Sequence, residues 1–454
     1  MIKLRLTNAL CHGIAAVIFI SSAGAGFVEC RPRRSQDAGR TARPTSLTEM
    51  DKIAELYVKL VLAVGRHDEN YVDAYYGPES WQAEARAEKR PLDSIKDDAA
   101  ALIERLRKLD TSKAEGIVRL RHQYLGKQLE SLAARVAMLG GAKLTFDQES
   151  KSLYDTVAPS YPEAHFKKVL SRLEPLLPGE GALPDRLDRF KRDFVIPKDK
   201  LDPVFKAAIA EARARTGKHI ALPGQESFQL EYVTGKSWSG YNWYKGNSHS
   251  LIQINTDLPI YIDRAIDLAC HEGYPGHHVY NVMLESNLVK GRGWVEFSVY
   301  PLFSPQSLIA EGSANFGIEV AFPGEERLAY EREVLFPLAG LDPSRAARYY
   351  EVQGILAELS YAGNEAARRY LNGEIDRDQA AEWLVKYTLV SLERAQQRVR
   401  FFDQYRSYVI NYNLGQDLVR KYVESKGGTV DRPAKRWDEF RKLISSPRLP
   451  SGLK

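Results

Sequence analysis

The chain has 454 residues, enough for two or three domains or one large helical body, so the size of the core does not limit stability. Its 64 basic and 59 acidic residues give a net charge of +5, and the aromatic content is an ordinary 10%. That balance argues against nucleic acid or an anionic membrane as partner.

The chain opens on a basic stretch, "MIKLRLTNALCHG", then an apolar one, "IAAVIFISSAGAGFV", with Ala23-Gly24-Ala25 as small residues where a secretory leader is cut. Residues 1–25 are therefore expected to be a signal peptide, and the mature protein to be exported to the periplasm or cell envelope. The apolar run is short, and no later segment approaches the roughly 20 apolar residues of a spanning helix, so no membrane span is expected. Glu29 precedes Cys30, where a lipid-anchored leader calls for a small residue, and this argues against an anchor there. Cys11 would leave with the leader, and the remaining Cys30 and Cys270 are so placed that no structural disulfide is expected. Residues 26–45, including "RPRRSQDAGRTARPT", can bury little and read as a disordered linker.

Folding is expected to begin at Ser46, where "SLTE" pairs Ser46 with Glu49 as a capping box ahead of "MDKIAELYVKLVLAV". Helical spacing recurs at about 95–109, 115–140, 145–156, 161–175 and 200–216, so residues 46–224 form an N-terminal helical region. From 225 to 256 the period changes: "ESFQLEYV" alternates, and "GYNWYKG" and "SLIQINT" are short aromatic or β-branched runs, which predicts a small antiparallel sheet. Helices then resume to the C-terminus, with starts at Asp342-Pro343 and at Asp376 with Gln379. The expected fold is mainly α: a large helical body with a small antiparallel sheet beside the helix that follows it. Residues 225–454 are expected to form its second region, sheet plus helices.

That helix is predicted from about Pro259 to Tyr274 and runs into "HEGYPGHH", which packs His271, Glu272, His277 and His278 into eight residues. In the common zincin pattern the second histidine lies one turn after the first, so both imidazoles face one metal and the glutamate between them serves as base. Here that position is Pro275. Proline removes an amide and collides with the preceding turn, so regular helix fails. Gly276 then permits a two-residue bulge that delivers His277, with His278 as the geometric rival. A catalytic zinc calls for a third protein ligand. Glu311, a carboxylate inside the apolar "SPQSLIAEGSANFGIEVAF", is the first candidate and Glu319 the alternative.

"HEGYPGHH", "EGSANF" some 30 residues later, "INTDLP" and "YNLG" together resemble the bacterial domain-of-unknown-function 885 family, helical zincin-like proteins of similar length. The resemblance implies one Zn2+ per chain on His271, His277 and Glu311, with Glu272 as general base. Ser313 and "RSYVINY" depart from the family pattern. Tyr408 and Tyr412, a turn apart, are expected to face the cleft as oxyanion donors, Tyr412 matching the family's Tyr-x-x-Gly. Arg406 could instead hold a substrate carboxylate. "SLIQINT" is expected to lend an edge to an extended substrate, and Trp238, Tyr241, Trp243 and Tyr244 to line a pocket or the core. The function expected is a zinc-dependent hydrolase, a metallopeptidase acting on peptides or peptide-like substrates. Its rivals are a non-catalytic metal-binding scaffold and a zinc hydrolase of a non-peptide amide or ester.

Overall fold

The computed structural model describes residues 45–454 apart from Ser237. The expected leader and linker, Cys11 and Cys30, and the Ser46 side chain lie outside the described residues. The first helix, Thr45–Val64, begins one residue before the expected cap. It turns Met50, Ile53, Tyr57, Val58 and Val61 inward at helical spacing, and all five are buried. Helices Leu92–Arg107 and Gly116–Leu139 pack beside it, each with its own apolar stripe. At Asp376 the reciprocal capping box with Gln379 is present, and Asp342 accepts the amide of Ser344 at 2.9 Å.

The molecule is mainly α with a small sheet, and the described residues form one compact unit. Residues on either side of position 225 share its core. Arg121, 1% exposed, donates to both carboxylate oxygens of Glu296 at 2.6 and 2.9 Å and to Asp51 at 2.6 Å, a fork that joins the two halves.

Two sheets are present among the described residues. Strands β1 (Val72–Tyr75) and β5 (Val299–Pro301) form an antiparallel pair that the sequence pattern did not suggest. Strands β2 (Ser227–Val233), β3 (Gly240–Gly246) and β4 (His249–Asn255) match the three expected runs, but the sheet is mixed rather than antiparallel. Its order is β2-β4-β3, with β4 antiparallel to β3 and parallel to β2. The turn from β3 to β4 is tight, with Asn247 and Ser248 both at positive φ, so β4 folds back on β3 and occupies the place between β3 and β2. "SLIQINT" is thus the central strand, and its backbone has no free edge for a substrate.

Helix Pro305–Ala321 is buried along most of its length and crosses helix Ile410–Ser425 at two glycines. A Cβ on Gly312 would stand 2.3 Å from the Gly415 carbonyl carbon, and one on Gly415 would stand 2.7 Å from the Leu308 oxygen. The backbones therefore touch where Glu311 enters the core. Gly312→Ala and Gly415→Ala are each expected to lower unfolding free energy by about 1–3 kcal/mol or more, since backbone cannot yield as a side chain does. Gly354→Ala, where an added Cβ would meet nothing within 4 Å, should instead raise it by about 0.5–1 kcal/mol. Denaturant melts of the three variants measure this.

Candidate metal centre

The histidine segment departs from the single helix expected over 259–274. Helix Asp263–Leu268 widens into a π-helical turn, Ala269–Gly273, in which the Tyr274 amide donates to the Ala269 oxygen at 3.0 Å. Tyr274 is extended, the Tyr274–Pro275 bond is cis, and helix resumes at His277–Leu284. The Gly276 amide reaches the Cys270 oxygen at 2.8 Å, and a Cβ on Gly276 would stand 1.9 Å from the His271 oxygen. Only glycine allows that approach. Pro275 packs against the neighbouring helix, with its Cγ 3.1 Å from where a Cβ on Gly317 would stand.

The break brings His277 Nε2 to 3.1 Å from His271 Nε2. Glu311 completes the group, its Oε2 3.2 Å from His271 Nε2 and its Oε1 3.6 Å from His277 Nε2. One ligand atom from each of the three lies within 4.8 Å of the others. Asn315 donates through Nδ2 to the Tyr412 carbonyl at 3.0 Å, so its Oδ1, 2.9 Å from His271 Nδ1, accepts the imidazole proton. In its neutral form His271 therefore presents an Nε2 lone pair, and the atom it faces, Glu311 Oε2, is buried without a hydrogen bond. Two acceptors facing each other in a buried site fit a cation between them.

Burial pushes the Glu311 carboxyl up, but His277 and His271 outweigh it and hold the group well below the usual carboxylate range. Burial opposes the His277 cation, and Glu311, with Glu272 and Asp73, overcomes this and raises it to about 9. Glu272, 4% exposed, goes the other way: burial raises its carboxyl, with His271 and His277 opposing. Its backbone oxygen accepts from Asn242 Nδ2 at 2.7 Å, and a Cβ on Gly240 would stand 2.9 Å from its Oε1. Glycine in β3 thus leaves room for the carboxylate.

Tyr408 donates to Glu311 Oε1 at 2.7 Å, so its proton holds that carboxylate rather than awaiting an oxyanion. Tyr412, with its ring 5.8 Å from that of Tyr408, has no hydroxyl partner among the described residues. Arg406 is committed elsewhere: its Nε donates to buried Glu149 at 2.7 Å. Glu319 is held by Gln416 at 2.7 Å and by Arg420, away from the histidines. His278, fully buried, lies 2.9 Å from Ser250 Oγ and 2.9 Å from Glu226 Oε2, which also accepts from Tyr274 at 2.7 Å. It ties the histidine helix to β4 and to the turn before β2. Of the four aromatics, Tyr244 is buried and bonded to Glu285, Trp243 Nε1 donates to Gln253 at 3.0 Å, and Tyr241 donates to Asp73.

Asp73 is the member that sequence reasoning missed, because "YVDAYYG" carries no chemical pattern and β1 reaches the site through its long-range pairing with β5 and its packing on β3. Burial raises its carboxyl to about 6, against the Tyr241 hydrogen bond and the His277 charge, while Glu311 and Glu272 add to the rise.

No family model matches the chain. No curated protein matches it either. Among solved structures the chain is similar to one described as "the putative lipoprotein from Colwellia psychrerythraea", at a TM-score of 0.49 and 14% sequence identity, over 80% of this chain and 68% of that one. No helix among the described residues is long and apolar enough to cross a membrane.

Glu226 gives a stability prediction. Burial raises its carboxyl, but hydrogen bonds from His278, Tyr274 and Arg213 outweigh this and hold it at about 2. Because the folded value lies below the unfolded one of about 4.3, its stabilisation is present above that unfolded value and is lost as pH falls through about 2. Glu226→Gln should therefore lower the melting temperature at pH 7 and flatten its decline between about pH 5 and 2. Thermal melts across that range measure both.

Proposed function

We propose that the protein is a zinc-dependent hydrolase, and that its substrates are peptides. The observation that carries the reading is the unpartnered Glu311 Oε2 facing the His271 Nε2 lone pair, one residue along the chain from the buried carboxylate of Glu272. The resemblance of "HEGYPGHH" and "EGSANF" to the 885 family points the same way. Export to the cell envelope rests on the N-terminal leader pattern.

His271, His277 and Glu311 would hold the metal, and two imidazoles with one carboxylate are a donor set suited to zinc. Zinc so held supplies a Lewis acid that acidifies water and polarises a carbonyl. The chain's own groups do the rest. Glu272 takes the proton of the attacking water and passes it to the leaving nitrogen, and burial, by raising its carboxyl, favours its accepting that proton. Tyr412 offers its free hydroxyl to the developing oxyanion. Tyr408 and Asn315 orient Glu311 and His271. Strand β3, at the edge of its sheet and next to Glu272, offers its backbone to an extended chain, the role that β4 cannot take.

The test is zinc content and hydrolysis of a mixed peptide library by the purified full chain. The native protein should bind about one zinc and cleave. Glu272→Gln should bind as much and lose about 10²–10⁴-fold in rate, whereas His271→Ala and His277→Ala should lose the metal. Tyr408→Phe should weaken zinc binding about 10- to 100-fold, and Tyr412→Phe should lower kcat with zinc content unchanged. Zinc bound with no peptide cleaved by the native protein overturns the peptidase reading.

A further inference from the structure

The arginine expected to hold a substrate carboxylate, Arg406, is neutralised by Glu149. Arg398 is different. Among the described residues its guanidinium has neither an ion pair nor a hydrogen bond; it lies over two rings, 5.2 Å from the centre of Phe401 and 6.0 Å from that of Tyr412. The residue is exposed, and desolvation by the surrounding protein holds its cation below the usual arginine range, with Tyr412 opposing.

Its surroundings lead to the metal centre. Glu311, Arg398 and Glu272 all act on Tyr412 through their charges. Its carbonyl holds Asn315, which holds His271, and its ring meets that of Tyr408, which holds Glu311. Arg398, Phe401 and Tyr405 recur at helical spacing on Leu392–Tyr405, so one face of that helix carries all three. The Phe401 ring is 4.6 Å from Tyr405 and 6.3 Å from Tyr412, and Tyr405 in turn feels the charge of Asp73. The result is an aromatic wall with a free cation at Arg398 and, at Tyr405, the charge of the Asp73 carboxylate within reach.

We infer that Arg398 anchors the C-terminal carboxylate of a short peptide lying along the Phe401–Tyr412 wall, so that the substrate class is peptides with a free C-terminus. The inference rests on the reading of the centre as a peptidase site. Arg398 presents a planar fork of donors that matches a carboxylate, and the rings beneath hold the fork in place and exclude water from the pair. Asp73 repels a carboxylate and so sets the polarity: the acid end lies toward Arg398, and an amino group is favoured toward β1. A peptide that continued past the anchor as a longer chain would present an amide to the guanidinium and lose the charge-assisted pair.

The test uses an N-acetylated alanine tripeptide as the free acid and as its C-terminal amide. Binding to the zinc-loaded full chain is measured by calorimetry in a Glu272→Gln background, which stops turnover. The acid is expected to bind about 10- to 100-fold tighter than the amide. Arg398→Gln should erase that difference with zinc content and melting temperature unchanged, and Arg398→Lys should restore part of it. Equal binding of acid and amide, a preference that survives Arg398→Gln, or no binding of the acid at millimolar concentration overturns the inference. Failure of the underlying reading looks different. If the native protein cleaves no peptide while the Arg398-dependent preference persists, the peptidase function falls and the anchor stands. If acid and amide are cleaved with equal KM, insensitive to Arg398→Gln, the anchor falls and the peptidase function stands.

Discussion

A carboxylate set into the middle of an apolar helix is the constraint around which this molecule is arranged. Glu311 is 6% exposed, on a helix buried along most of its length, and taking an ion out of water there costs several kcal/mol unless partners replace the solvent. His277 and Tyr408 are such partners at its Oε1, and His271 faces its Oε2. Each is delivered by a local feature that would otherwise be a defect: a widened turn, a proline break, and a crossing of two helices with no side chains between them. Removing any one feature leaves Glu311 short of compensation, so the cost of the buried charge secures the geometry around it.

The features are interlocked. The Gly276 backbone lies against the His271 carbonyl, so the turn that presents His277 also fixes where His271 begins. Pro275, which forces the break, rests beside Gly317 on the helix that carries Glu311, so the two helices are registered where the three groups meet. On the other side of that helix, Gly312 meets Gly415, which brings the segment with Tyr408 and Tyr412 into contact. His278, one residue beyond His277, is bonded to Ser250 and Glu226 and holds the resumed helix against the sheet. Adjacent histidines therefore have opposite assignments, one facing Glu311 and one anchoring the fold.

Much of this was legible in the chain, and the limits have physical causes. Helices with a wide apolar stripe announced themselves through its spacing, whereas Glu79–Ala87 and Leu183–Arg192, which bury at most one residue each, did not, and the cap at Asp376 was plain because Asp and Gln three apart satisfy each other's backbone. The three strands near 225–256 were visible, but alternation says which residues face inward and not which strand lies beside which, so the parallel β2–β4 pairing was not. The β1–β5 pair could not be read, because four-residue and three-residue strands more than 200 residues apart leave no local pattern. Asp73 was hidden with it. The partners of Tyr408 and Arg406 were hidden for a related reason: a sequence shows which groups a residue carries, and only the packed structure shows that they bond to Glu311 and Glu149.

Glu272 and Glu311 are alike in burial and differ in neighbours, and under the proposed reading that difference favours chemistry over mere metal storage. Glu311, beside two imidazoles and a phenol, is held far on the ionised side, as the proposed ligand role requires. Glu272, with its carboxylate facing Gly240 rather than a donor, is pushed toward the protonated form. A site built only to hold an ion has no use for a second buried carboxylate whose ionisation the fold opposes, and closing the shell with a fourth ligand would have relieved the cost. A site that moves a proton needs both kinds: one carboxylate fixed in charge, and another poised to change it.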